Sequence, residues 1–153
     1  MTRNFLFILI GLFIALTLLV VRLTPAKQFT NANLNKVKVG DTQIKLRIAK
    51  TPQELEKGLG YIASLPEKEG MLFVMNKFSY HAFWMKGMEF PLDFIWIAGN
   101  KIVDITENVS VSNDPNPAII RSQKPSNFVL EVNAGFVQRH RVKVGQSIIL
   151  RTQ

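Results

Sequence analysis

Cysteine is absent from the 153 residues of the chain, and histidine occurs only twice, at His81 and His140. Without cysteine the chain can form no disulfide, no thiolate metal site and no cysteine nucleophile. The two histidines have no histidine or cysteine neighbour at the spacing of metal ligands, so we expect no metal site and no cofactor. The chain also lacks a G-x-S-x-G segment and a phosphate-binding glycine loop, the motifs of many serine hydrolases and nucleotide-binding proteins.

Acidic residues are scarce as well, with 11 against 19 lysines and arginines, and none of them precedes position 27. Only two basic residues, Arg3 and Arg22, precede that position, so the remainder of the chain carries an excess of six positive charges. Such a balance favours anionic partners. Because the basic residues are scattered rather than arranged in a stripe, we expect no nucleic-acid binding.

A long apolar run occupies residues 5–21, FLFILIGLFIALTLLVV, without a single charged side chain. As a helix it would span roughly 26 Å, close to the ~30 Å hydrocarbon core of a bilayer. The run is longer than the apolar part of a cleavable signal peptide, and Thr24-Pro25-Ala26 makes a poor cleavage site. We therefore predict a transmembrane anchor within residues 1–26, with a removed signal segment and a secreted protein as the alternative. The short N-terminal flank favours a globular part outside the cytoplasm, although the flanking positive charges do not decide the orientation.

The remaining chain divides into a polar linker at residues 27–35 and a single domain at residues 36–153. Thr51, Pro52 and Glu54 predict the capped start of a short helix, and residues 134–140 predict a second one. We predict a mostly β domain, α+β at the margin, of about seven to nine short strands in a partly open barrel or folded double sheet. The runs that predict strands are residues 36–39, 42–49, 71–75, 83–85, 94–98, 101–109, 128–132 and 147–150.

The candidate ligand-binding residues lie in and after the stretch 71–93, where polar side chains interrupt apolar runs. In an extended conformation Trp84 and Lys86 point the same way, which puts an aromatic ring beside a cation and suits a sugar or an anionic group. We place Asp93, Glu107 and the long loop at residues 110–127 at the same cleft. The alternatives are packing for Trp84, an ion pair of Lys86 with Glu107 or Asp93, and a turn cap for Asp93.

Glu131 interrupts the otherwise apolar strand FVLEV and therefore needs either a partner or a function. A desolvated carboxyl group with a raised pKa can act as a general acid or base, so Glu131, Glu107 and Asp93 are the candidate catalytic residues. The alternative for Glu131 is a structural ion pair with a lysine or arginine. Two carboxylates across a cleft would suit glycoside hydrolysis, but nothing in the sequence fixes their separation.

Five blocks occur along the chain in the order EKGLGY at 56–61, EGMLFVM at 69–75, FWMKGMEFPLDFIWI at 83–97, ITENV at 105–109 and FVLEVNAGFVQRHRVKVGQSI at 128–148. This succession resembles the family known as domain of unknown function 192, over roughly residues 37–151. The resemblance implies a small β-rich domain, commonly exported, without an established biochemical activity. Gly87 stands where the family commonly has an asparagine, and residues 110–117 lack the cysteines that the family often carries in its long loop.

Three functions remain open on these grounds. The one that the sequence favours is a membrane-tethered extracytoplasmic binding or accessory module, held through residues 5–21, that captures a small anionic or carbohydrate-like ligand or an envelope partner. The second is an envelope hydrolase that acts on glycans through paired carboxylates, and the sequence leaves catalysis undecided. The third is a structural or assembly protein whose basic face, with Arg139 and Arg141, rests on anionic lipid or wall polymer.

Overall fold

The computed structural model describes residues 34–112, 114 and 117–152. The predicted membrane segment at residues 5–21 and nearly all of the predicted linker lie outside these residues. In the part of the chain that is described, no helix has both the length and the apolar character needed to span a bilayer.

Strands make up most of the described secondary structure, which comprises nine strands and two short helices. The helices are α1, Pro52–Lys57, and α2, Phe136–Arg139. The prediction of a mostly β fold with two short helices is therefore confirmed. The strands are β1 Leu34–Val39, β2 Thr42–Ala49, β3 Glu69–Ser79, β4 Ala82–Phe83, β5 Leu92–Ala98, β6 Lys101–Val109, β7 Ile120–Arg121, β8 Ser126–Asn133 and β9 Ile148–Thr152.

Seven of these strands form one curled sheet in the order β6-β5-β8-β3-β2-β1-β9. β2 and β3 run parallel, and the other neighbours in the sheet are antiparallel. The two outer strands approach each other where Ser147 pairs with Lys101 and the Ile148 N–H donates to the Asn100 carbonyl at 2.8 Å. The sheet is thus a half-barrel, the partly open barrel of the two predicted architectures.

Both faces of the sheet are covered, and β8 shows how the sequence achieves this. Because side chains alternate along a strand, Phe128, Leu130 and Val132 enter one core while Val129 enters the other. Glu131 shares the face of Val129, on the side where the second core includes buried aromatic rings from β3 and β5. Glu131 is therefore an ionisable residue on an otherwise apolar face of a central strand.

The parallel pair β2 and β3 requires a crossover connection, which residues 50–68 provide. α1 lies in this crossover and begins with the predicted capping box. Thr51 Oγ1 accepts from the Glu54 N–H at 3.3 Å, and Glu54 Oε2 accepts from the Thr51 N–H at 2.9 Å. Gly58 ends the helix at a positive φ of 50°, and Leu55 packs towards the second core. A six-residue helix has little stability alone, so this packing holds it in place.

A two-stranded sheet of β4 and β7 covers part of the same face. The sequence predicts a strand at residues 83–85, but the strand is limited to Ala82–Phe83. Phe83 pairs with Ile120, so the stretch predicted as a long loop at residues 110–127 contains a strand of its own. This pairing brings the loop over the aromatic part of the second core.

Candidate functional site

A pocket of about 270 Å³ opens beside α1, between the residues that follow the helix and the segment 82–88. An adjoining hollow of about 300 Å³ shares Glu56, Lys57, Trp84 and Lys86 with it. We call the two together the α1 pocket. Its apolar wall consists of aliphatic, methionine and phenylalanine side chains, from Leu55, Leu59, Phe73, Met75, Phe83 and Met88.

Aromatic rings packed edge to face form one wall of the pocket and the core behind it. The ring centroid of Phe83 lies 4.9 Å from that of Phe73, 5.5 Å from that of Trp96 and 5.8 Å from that of Phe94. Each such pair contributes about 0.5–1.5 kcal/mol beyond simple burial. Trp96 is fully buried and donates its indole N–H to Thr106 Oγ1 at 3.1 Å, as expected for a core tryptophan. This wall is therefore formed by contacts within the protein itself, without a ligand.

Trp84 and Lys86 lie together at the mouth of the pocket. The Lys86 Nζ atom is 5.4 Å from the centroid of the Trp84 ring, within cation–π range. Trp84 remains 45% exposed, so a ligand can still reach its ring. Lys57, at the end of α1, lines the same mouth. The mouth thus combines an accessible aromatic ring with two cationic side chains and one acidic side chain, that of Glu56.

Tyr61 and Gly87 join the two segments that carry these lysines. The Tyr61 N–H donates to the Gly87 carbonyl at 2.8 Å. A Cβ atom at position 87 would lie 2.7 Å from Tyr61 Cζ, so the Tyr61 ring occupies the space that a side chain at 87 would need. Gly87 also has a φ of +68°, which favours glycine. The glycine at this position therefore lets the Tyr61 ring close one side of the mouth.

Glu131 lines the inner part of the α1 pocket. It is 4% exposed and lies in the sheet between Met71 of β3 and Phe94 of β5. Among the described residues its carboxyl group has no hydrogen-bond or ion-pair partner, and burial alone raises its pKa from 4.5 to about 8. Near neutral pH the group is therefore mostly protonated, so that it can donate a hydrogen bond to a molecule in the pocket.

The structure does not bring the other two predicted acids to this pocket. Asp93 is fully buried, and its carboxylate oxygens accept from the Asn108 N–H at 2.8 Å and the Val137 N–H at 2.9 Å. It therefore joins β6 to the first turn of α2, a capping contact over a longer range than the local turn considered from the sequence. Glu107 is exposed on β6 and is not among the residues that line the α1 pocket.

The ion pairs considered as alternatives are not formed either. Within the described ranges the salt bridges involve other residues, so Lys86 pairs with neither Glu107 nor Asp93, and Glu131 pairs with no lysine or arginine. Arg139 contacts Glu67 at 3.8 Å. Among the described residues, the charged groups of Lys86 and Glu131 are thus not engaged in ion pairs.

The histidines contact the protein and not each other. His81 Nε2 lies 3.0 Å from the Lys77 carbonyl and 3.1 Å from the Ser126 carbonyl, and so links β3 to β8. His140 Nδ1 lies 2.9 Å from Thr42 Oγ1. Over the described residues, no group of three or more histidine, cysteine, aspartate or glutamate side chains could hold a metal ion.

The sequence analysis does not identify three residues of the pocket, although they belong to the block EKGLGY: Glu56, Lys57 and Tyr61. The signal that could reveal them is the strand-helix-strand order of residues 42–79. A crossover between parallel strands has to pass over one face of the sheet, and its helix then lies above the strands. The end of that helix is therefore a natural place for a pocket.

The chain matches the family model DUF192, described as "Uncharacterized ACR", over residues 35–150. No curated protein matches it. Among solved structures it resembles a Sinorhizobium meliloti protein described as a candidate transcription regulator, with 32% identity, a TM-score of 0.69 and coverage of 79% of this chain and 98% of the other. It also resembles a protein of unknown function from Novosphingobium aromaticivorans, with 25% identity, a TM-score of 0.70 and coverage of 80% of this chain and 89% of the other.

Proposed function

Because the chain belongs to the DUF192 family of uncharacterised proteins, we propose its function from the α1 pocket: it is a module that binds a small anionic ligand with a flat apolar body. The observation that carries this proposal is the pairing of Lys86 with the half-exposed Trp84 ring at the mouth of a preformed aromatic pocket. A flat ligand stacks on the ring while its anionic group meets the ammonium groups of Lys86 and Lys57.

The pocket has the composition of a small-molecule site. Such sites are mostly apolar concavities with a few polar groups that fix the orientation of the ligand. Here the apolar wall is preformed by the Phe73 and Phe83 rings, and the polar groups are the two lysines at the mouth and Glu131 further in. A preformed site spares the ligand the free energy of ordering the protein.

Trp84 fluorescence offers a direct test, since the chain has only two tryptophans and the other, Trp96, is buried. The full chain in non-ionic detergent is titrated with benzoate, inorganic phosphate and N-acetylglucosamine. We expect saturable quenching or a spectral shift with benzoate, and a weaker response to phosphate, which has no apolar body. A response to N-acetylglucosamine alone would show that the ligand is a carbohydrate and not an anionic molecule.

Three variants accompany this titration. Lys86→Met should weaken benzoate binding by about threefold to tenfold, because it removes a charge-assisted contact, whereas the exposed Lys101→Met should leave it unchanged. Trp84→Phe should abolish the signal. Equal binding by the Lys86 and Lys101 variants, or a linear response without saturation, would contradict the proposal.

The hydrolase alternative is not favoured by the geometry of the acids. Glycoside hydrolysis needs two carboxyl groups that flank one bond. Asp93 is buried and engaged by backbone N–H groups, and Glu107 is not among the residues lining the α1 pocket, so neither complements Glu131 there.

We also propose that residues 5–21 tether this module to a membrane, with the domain outside the cytoplasm. The support is the uncharged run of seventeen apolar residues and its length relative to a bilayer. The full chain should stay in the membrane fraction after carbonate washing, and a variant with two aspartates inside the run should not. Added protease should reach the domain from the extracytoplasmic side. A mature protein that lacks residues 1–26 by mass spectrometry would show a removed signal instead.

A further inference from the structure

We propose that the ligand of the α1 pocket carries a neutral hydrogen-bond acceptor at the end opposite its anionic group, and that the carboxylic acid of Glu131 donates to this acceptor. This inference rests on the proposed binding function and adds the chemical class and polarity of the ligand. It concerns Glu131 because the described part of the chain offers this side chain no partner.

An unpartnered carboxyl group on a central strand is costly to keep. Burying a polar group without a hydrogen bond destabilises the folded protein, because the group loses its contacts with water and gains none in return. An apolar side chain at this position would simply extend the apolar face, as Val129 does on the same face of β8. A group that lines a cavity and has no protein partner is satisfied when a molecule in the cavity supplies one.

The protonation state of Glu131 decides what it can recognise. With a pKa raised by burial to about 8, the group is mostly neutral near pH 7 and has one O–H to donate. A carbonyl or ether oxygen accepts this bond without bringing a charge into the pocket. An ammonium group would instead have to leave water for an apolar environment, and this loss of hydration opposes its binding.

The other charged groups of the pocket point to the same polarity. They are Glu56 and Lys57 from α1 and Lys86 from the segment opposite it, while the strands beside Glu131 present Met71 and Phe94. Glu56 offsets one of the two lysines, so the mouth keeps a net positive charge and favours an anion over a cation. The ligand class is therefore a flat molecule with a carboxylate or phosphate at one end and a carbonyl-type acceptor at the other.

Three para-substituted benzoates of similar size test this directly: para-acetylbenzoate, which has the acceptor, para-isopropylbenzoate, which lacks it, and para-(aminomethyl)benzoate, which has an ammonium group. Each is titrated into the full chain in non-ionic detergent, with Trp84 fluorescence as the readout. At pH 6 we expect para-acetylbenzoate to bind about threefold to tenfold more tightly than para-isopropylbenzoate. This advantage should vanish as the pH rises past about 8, because Glu131 then loses its proton.

Two variants separate hydrogen bonding from a structural effect. Glu131→Gln keeps an N–H donor and cannot ionise, so it should retain the preference for para-acetylbenzoate and make it independent of pH. Glu131→Met fills similar space without a donor and should lose the preference at every pH. The comparison of the benzoates on the unmodified chain needs no variant, so it decides the matter even if Glu131→Met does not fold.

The outcomes distinguish this inference from the proposed function. Equal binding of the acetyl and isopropyl compounds at pH 6 would overturn the inference and leave the binding function standing. Tightest binding of para-(aminomethyl)benzoate, increasing with pH and lost in Glu131→Gln, would also overturn it, in favour of a cationic group. Binding of none of the three would overturn the proposed function and this inference together.

Discussion

Replacement of Glu131 by glutamine should change how the stability of the fold depends on pH. In the unfolded chain the carboxyl group titrates near 4.5, and in the folded protein near 8, because burial penalises the charged form. Between these two values the folded state holds a proton that the unfolded state has lost. The free energy of unfolding therefore falls by about 1.4 kcal/mol for each pH unit, and the loss is complete above about pH 8.

The total effect amounts to about 5 kcal/mol, a large part of the 5–15 kcal/mol that stabilises a typical domain. Glutamine does not ionise, so Glu131→Gln removes this dependence while it keeps the size of the side chain. The difference in unfolding free energy between the two proteins should be nearly constant below pH 4 and should grow in favour of the variant up to about pH 8.

Urea unfolding of the full chain in non-ionic detergent, followed by circular dichroism at several pH values, measures this difference. The matched control is Glu107→Gln, which neutralises an exposed acid on β6 and should give no comparable trend. A difference for Glu131→Gln that stays flat between pH 5 and pH 8 would show that the carboxyl group is solvated or paired in the folded protein, and would refute the reasoning.

Three further substitutions test other parts of the structure. Asp93→Asn should lower the free energy of unfolding by about 1–3 kcal/mol, since an amide oxygen can replace only one of the two buried acceptors. Urea unfolding measures this loss, and an unchanged midpoint would contradict the hydrogen bonds of Asp93 to Asn108 and Val137. Gly87→Ala should lower the melting temperature more than Gly99→Ala. Both glycines have a positive φ, but only a side chain at position 87 would meet the Tyr61 ring. Equal decreases of the melting temperature in thermal unfolding would rule out that contact. Thr51→Ala should lower the free energy of unfolding by about 1 kcal/mol, because the N-terminal cap of α1 is lost. Hydrogen exchange of the amides in α1 measures the local effect, and unchanged protection there would contradict the cap.

Local features of the fold follow well from the sequence. A turn at Gly40 joins β1 to β2, between the strands predicted at residues 36–39 and 42–49, and Val39 pairs with Thr42. Glycine tolerates the positive φ of 59° that this turn needs. The capping box of α1 is equally local, since Thr51 and Glu54 are only three residues apart. Interactions between near neighbours depend on residue types that can be identified without the three-dimensional structure.

Features that depend on distant parts of the chain could not be predicted in this way. The role of Asp93 is fixed by the backbone N–H groups of Asn108 and Val137, which only the folded sheet brings near. Trp84 and Lys86 lie together as expected, but β4 ends at Phe83, so the alternation of side chains along a strand does not explain their contact. The contribution of Lys57 depends on the path of the crossover. Glu131 stands out in the sequence as an acid in an apolar strand, but its lack of a partner is visible only once its neighbours are known.

The first and last strands of the half-barrel lie side by side, with Leu34 paired to Thr152 in the backbone register of β1 and β9. The order of the strands in the sheet therefore does not require a chain that begins at β1 and ends at β9. A short linker could therefore join Leu34 to Thr152 in a circular permutant that keeps the same strand order. In the natural order, β1 gains its second neighbour only after more than a hundred further residues, so the sheet cannot be completed before β9 has been synthesised.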